Sequence, residues 1–192
     1  STSLAVFLLA FGAMMIGNGT NFSWNSTGGI VGTGSRSWLY LNNGRNDTFA
    51  DAFSGNGLLT TRGQGTVTLA AAQANKNLPT NTVIEAGALR YGVQDALASG
   101  TGAGVVDLWA NAFLDVNGFA ATLTGLTGGG CGTNTAATAV GLNVGSDSLA
   151  SAFSVCFASP ITITKIGTNA LTLTHFNPTR EPVTVAAGTS AL

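Results

Sequence analysis

An uninterrupted apolar stretch, Leu4 to Ile16 within STSLAVFLLAFGAMMIG, constrains this chain more than any other feature. Every residue in it is apolar or glycine, and the first seventeen residues hold no charged side chain. Burying one Leu, Val, Phe, Ile or Met side chain is worth about 1.5–3 kcal/mol, so some partner must receive the segment. A signal-peptide core has this length but ordinarily follows an initiating Met and basic residues, whereas Ser1 reads as an end exposed by cleavage. A membrane-spanning helix needs about 20 apolar residues. As a helix, this stretch reaches only about 20 Å, against about 43 Å as an extended strand.

Periodicity within the stretch leaves two outcomes open. Leu4, Val6, Leu8, Met14 and Ile16 share one parity, and Phe7, Leu9, Phe11 and Met15 the other, so a strand here is covered on both faces. It is either the first core strand of its own domain or a strand added to the sheet of a neighbouring subunit. The organisation expected is an apolar tail over 1–20 and a single domain over 21–192.

Charged residues make up 8% of the chain against 45% hydrophobic, with 27 glycines and abundant Thr, Ser and Asn. Seven Lys and Arg against eight Asp and Glu supply no basic stripe, which argues against nucleic acid as a partner. Scarce carboxylates leave few paired acids to protonate, which suits an acidic external medium. Four N-x-S/T sequons, at Asn18, Asn21, Asn25 and Asn46, mark N-glycosylation sites and predict N-linked glycans; Asn177 is excluded by Pro178. Cys131 and Cys156 suit one disulfide in an oxidising compartment.

Short β-prone runs separated by Gly and Asn follow the tail. They are expected over residues 37–41, 65–70, 82–86, 105–109, 119–124, 139–144, 152–157, 161–166, 171–176 and 183–185. Thr alternates with apolar residues in the last third, as in half-buried antiparallel strands. Residues 167–169 predict a hairpin turn, residues 100–104 and 125–132 flexible loops, and 70–75 and 94–98 short helical turns. The fold class predicted is an all-β antiparallel sandwich of Greek-key or jelly-roll type, Ig-like in outline.

No catalytic constellation emerges. His175 follows an alternating strand with no nucleophile near it in sequence, and the carboxylates are scattered singly. Residues 43–47 and 143–147 carry oxygen ligands without the spacing of a calcium loop. The glycine-rich loops lack a Gly-Lys-Ser/Thr ending. Lys76 and Lys165 qualify for isopeptide bonds only if buried beside a carboxyl group. The expectation is a non-enzyme with no metal and no cofactor beyond glycans.

Taken together, a processed N-terminus, an apolar first segment, clustered sequons and a low-charge Thr-rich β-domain with one disulfide resemble the archaeal thread pilins. That family is similar in layout to chaperone–usher pilins. The resemblance implies a donor strand formed by Leu4, Val6, Phe7, Leu8, Leu9, Phe11, Met14, Met15 and Ile16, inserted into the next subunit's sheet. It further implies an extracellular, cell-surface homopolymeric filament of identical subunits, with a role in adhesion or biofilm, meeting neighbouring filaments or cell surfaces. No stable membrane span is implied for the mature chain. Alternatives are a viral capsid or surface-layer sandwich protein, and a secreted carbohydrate-binding module in which Trp24, Trp38, Tyr40 and Trp109 stack on sugar rings.

Overall fold

The computed structural model describes residues 7–10, 13–16, 23–24, 30–33, 38–42, 46–50, 53–55, 58–72, 81–100, 103–146, 150–154, 156–157, 160–174 and 183–191. Side chains are described over 46–50, 59–72 and the ranges that follow. Every strand pair among these residues is parallel. The chain is therefore a β-solenoid, a coil in which each turn lays its strands beside those of the turn before.

Face one is a nine-stranded sheet. Its strands are Ala13–Ile16, Trp38–Asn42, Leu58–Arg62, Asn81–Ile84, Val105–Leu108, Leu126–Gly128, Ser151–Ser154, Ala170–Thr174 and Thr189–Ala191. Face two is six-stranded and runs from Ser23–Trp24 to Cys131–Thr133, through Asp47–Phe49, Thr66–Leu69, Gly87–Tyr91 and Ala112–Asp115. Face three is built twice. Phe7–Ala10, Ile30–Thr33 and Phe53–Gly55 form it in the early turns. Ala121–Leu123, Val140–Val144, Ile161–Lys165 and Val183–Val185 form it in the late ones.

Alternation explains how these sequences build a coil. Along face one, Leu59, Thr82, Val106, Leu126, Ser151 and Leu171 stack in one inward file, and Thr61, Ile84, Leu108, Gly128, Phe153 and Leu173 in a second. Nearly all are buried, and Leu89, Leu114, Leu142 and Ile163 fill the same core from the other faces. Most residues between them point outward, though Thr60 is buried, and many are Thr: Thr122, Asn143, Thr164 and Thr184 form one external file on face three.

Corners need backbone that bends without a side chain in the way. Gly128 has φ +99°, and a Cβ there would drive into the Leu108 carbonyl of the turn beneath. Asn111 and Asn117 take positive φ at other corners, a conformation Asn tolerates better than most residues. Side chains also tie one turn to the next. Asn46 Oδ1 accepts the Thr66 N–H at 3.1 Å, and Asn81 Oδ1 accepts the Val105 N–H at 3.0 Å.

These observations overturn the antiparallel sandwich and the resemblance to thread pilins. Period-two alternation reports that one strand face is buried; it does not report the direction of the neighbouring strand. The hairpin expected at 167–169 is instead a corner, with Ile161–Lys165 on face three and Ala170–Thr174 on face one. The loop expected over 125–132 contains the strands Leu126–Gly128 and Cys131–Thr133. Where described, residues 70–72 and 94–98 contain no helix.

The donor strand is corrected in the same way. Phe7–Ala10 pairs in parallel with Ile30–Thr33, and Ala13–Ile16 with Trp38–Asn42, all within one chain. Phe7, Leu8, Leu9, Met14, Met15 and Ile16 thus belong to the first described turn of the coil rather than to a neighbour's sheet; Leu4, Val6 and Phe11 lie outside the described residues. Each described turn pairs with its successor along the edge of each face. Filament assembly by strand donation, and with it the pilin reading, is set aside, as are the capsid and surface-layer readings that relied on a sandwich.

Candidate functional site

The corner between faces one and two in the middle of the coil collects the features most suited to contact with another molecule. On the strand Val105–Leu108, Val106 and Leu108 point into the core, which turns Asp107 outward. Trp109 follows at the corner and is 50% exposed. Its N–H of the main chain bonds the Ile84 carbonyl at 2.9 Å, while its indole Nε1–H donates to Asp107 Oδ2 at 3.3 Å. The other carboxylate oxygen of Asp107 accepts the Thr127 hydroxyl at 3.0 Å, from the next turn.

Glycines bring the next turn close to this corner. Gly129 and Gly130 donate their N–H groups to the Leu108 carbonyl, at 2.8 and 3.0 Å, so this backbone lies directly on the turn that carries Trp109. A Cβ at Gly129 would meet nothing within 4 Å. On the preceding turn, Glu85 pairs with Arg62. Phe113, on face two, is 38% exposed and in register with Cys131.

A second polar cluster is structural in character. Asp115 accepts the Arg90 Nε–H at 2.7 Å, the Thr135 hydroxyl at 2.8 Å, and the main-chain N–H groups of Thr135 and Asn117, both at 3.0 Å. Burial pushes its pKa up, but these bonds outweigh burial and hold the carboxyl below the ordinary carboxylate value. Asn134 extends the clamp, accepting from Gly118 N–H at 2.8 Å and donating to the carbonyls of Thr138 and Pro160 at 2.8 and 3.1 Å. Four successive stretches of chain are joined in this way.

Two further ionisable groups are buried. Lys165 points inward and donates to the carbonyls of Ile166 and, at 3.0 Å, Gly167; burial lowers its pKa. Its hydrogen-bond partners are carbonyls rather than the carboxylate an isopeptide bond requires. Tyr91 is fully buried, and burial raises its pKa, with the charge of Asp95 adding to the rise and the Leu97 backbone opposing it.

The remaining sequence expectations distribute as follows. Cys131 and Cys156 form the expected disulfide, Cα atoms 4.5 Å apart, and the Gly132 N–H bonds the Cys156 carbonyl at 2.8 Å. The bridge thus joins adjacent turns where face two stops. Asn46 is exposed, with its Oδ1 engaged by Thr66; Asn18, Asn21 and Asn25 lie outside the described residues, as do His175 and Lys76. Trp24, Trp38 and Tyr40 lie in strands whose side chains are not described. Asn143 donates to Thr122 Oγ1 at 3.4 Å and Asp47 is buried facing inward. Among the described residues, no three His, Cys, Asp or Glu side chains gather as a metal site would require, and no helix is long and apolar enough to cross a membrane.

Asp107, Thr127 and the Gly128–Gly130 ledge were not singled out from the sequence. Alternation alone places Asp107 outward, since Val106 and Leu108 flank it. Its meeting with Thr127 depends on a register between residues 20 apart that local pattern does not contain. Fold and site together define a parallel β-solenoid carrying an exposed aromatic corner. No family model, no curated protein and no solved structure matches the chain.

Proposed function

We propose that this chain is a structural β-solenoid of an exported protein, a stiff spacer that presents its outer faces to the extracellular environment and performs no catalysis. The disulfide carries the reading. It ties two adjacent turns together on the outside of the coil, with Cys156 exposed, and such bridges persist in oxidising compartments. Polar side chains along the coil serve the same mechanical end: Asp115, Asn134, Asn46 and Asn81 each bond across turns. The outer Thr and Asn files offer neutral hydroxyls and amides, and a glycan on Asn46 Nδ2 would leave its Oδ1 bond to Thr66 in place.

Contact between identical copies belongs to this proposal through outer faces, without an exchanged strand. Antibody labelling of intact against lysed source cells tests the setting. Labelling of intact cells, combined with a Cys131–Cys156 bridge in protein isolated under thiol-blocking conditions, supports the reading. A reduced pair, or labelling only after lysis, overturns it. Sedimentation over a range of concentrations tests the self-contact separately.

A further inference from the structure

We propose that Asn117–Gly118 is a deamidation site, withheld in the closed coil and released when this corner opens locally. The corner after Ala112–Asp115 takes positive φ at two successive residues, +46° at Asn117 and +83° at Gly118. Asn followed by Gly meets that demand at the least steric cost. The same pair is the most prone to cyclise, because Gly puts no side chain between its own nitrogen and the preceding amide carbon. Three further such pairs, Asn18–Gly19, Asn43–Gly44 and Asn56–Gly57, lie outside the described residues.

The reaction needs only water. The Gly118 nitrogen gives its proton to solvent and attacks Asn117 Cγ; the Cγ–Nδ2 bond breaks and ammonia leaves. Water then opens the five-membered imide at either carbonyl, giving aspartate or isoaspartate, with no change of oxidation state. In the closed coil every participating group is engaged. The Gly118 N–H donates to Oδ1 of the buried Asn134 at 2.8 Å, which ties the attacking nitrogen to the next turn. The leaving nitrogen, Asn117 Nδ2, donates to the Tyr91 carbonyl at 3.0 Å on the turn before. The Thr135 hydroxyl donates to Asn117 Oδ1 at 3.3 Å, and the Asn117 N–H donates to Asp115 Oδ1 at 3.0 Å. Neither Asn117 nor Gly118 is buried, so hydrogen bonding rather than exclusion of water guards the pair.

The product opposes reclosure. Aspartate at 117 sets an acceptor against the Tyr91 carbonyl, where the amide donated, and adds a second negative charge beside Asp115. Isoaspartate lengthens the main chain by one methylene, at a corner bonded to both adjacent turns. Opening followed by deamidation is therefore a one-way step.

Peptide mapping by mass spectrometry during incubation at mildly alkaline pH tests the assignment. In urea, Asn117 is expected to convert alongside Asn18, Asn43 and Asn56; in the native protein its conversion is expected to be at least tenfold slower than in urea. Asn134→Ala is expected to speed native conversion at Asn117 severalfold. Asn134→Asp, which keeps an acceptor for the Gly118 N–H, is expected to leave it slow, with circular dichroism checking that both variants fold. Asn117→Asp, the product made directly, is expected to melt at a lower temperature than wild type. Equal rates in native protein and urea overturn the proposal. So does absence of conversion at Asn117 in urea, or a folded Asn134→Ala variant no faster than wild type. An unchanged melting temperature in Asn117→Asp overturns the one-way step.

Discussion

Asp115 shows how one side chain does several jobs in a coil. It joins Arg90 on the preceding turn to Thr135 on the following one, and its side chain is only 2% exposed. Asp115→Asn is expected to cost about 1.5–3 kcal/mol, the range for hydrogen bonds to a charged group, read from chemical denaturation at neutral pH. Its folded pKa lies below the unfolded one, so its stabilisation is present above the unfolded value and is lost as pH falls through the folded value. The acid limb of the stability profile should therefore flatten in the variant; an unchanged limb would refute the clamp. Lys165 has the same sign of slope, in a higher pH window. Burial lowers its folded pKa, so the unfolded chain holds the proton more tightly and stability rises as pH climbs toward 10.5. Wild type should gain on Lys165→Met over that climb, as measured by thermal melts at stepped pH. Thr61 is simpler: its buried hydroxyl has no hydrogen-bond partner among the described residues, inside an apolar file. Thr61→Val is expected to stabilise by about 1 kcal/mol, seen as a raised denaturation midpoint. Glycine corners, outward carboxylates and Asn brackets were visible in the sequence as residue types, but not as partners, because each partner lies about one turn away along the chain.

At the scale of the element, strand positions were legible and strand relations were not. Residues 161–166 were expected to be extended, and Ile161–Lys165 is a strand; residues 139–144 correspond to Val140–Val144, and 183–185 to Val183–Val185. Thr alternating with Ile or Leu satisfies a pleated surface with one buried face whatever the neighbour's direction. Strands such as Leu126–Gly128 and Cys131–Thr133 escaped because their glycine content reads as loop, although glycine here permits the close approach of one turn to the next. The disulfide acts at this scale too. It secures the last strand of face two at the place where Phe157 packs over Gly132 and meets Phe153 at 5.4 Å between ring centroids. Replacing both cysteines by serine should cost about 3 kcal/mol by the chain-entropy model for a closure of this length. Hydrogen exchange should localise the loss to residues 131–133 and 156–157; a loss spread evenly over the coil would speak against a local clasp.

Over the whole molecule, stacking sets both shape and cooperativity. Each turn contacts chiefly its neighbours, so stability accumulates turn by turn rather than around one centre. Nine strands on face one span about 38 Å at the usual strand spacing. The sequence by itself determined the all-β character, the strand positions of the later turns, the poverty of charge and a cysteine pair fit to bridge, because these depend on residue type and on spacing over a few positions. Only the tertiary structure decided parallel pairing, the place of Phe7–Ala10 and Ala13–Ile16 in their own coil, and the meeting of Trp109, Asp107 and Thr127. The physical reason lies in the repeat. Partners stand 25 residues apart at Ala13 and Trp38, 20 at Trp38 and Leu58, and 24 at Asn81 and Val105. Corners of unequal length blur that period along the chain, while hydrogen bonding between turns restores the register in space.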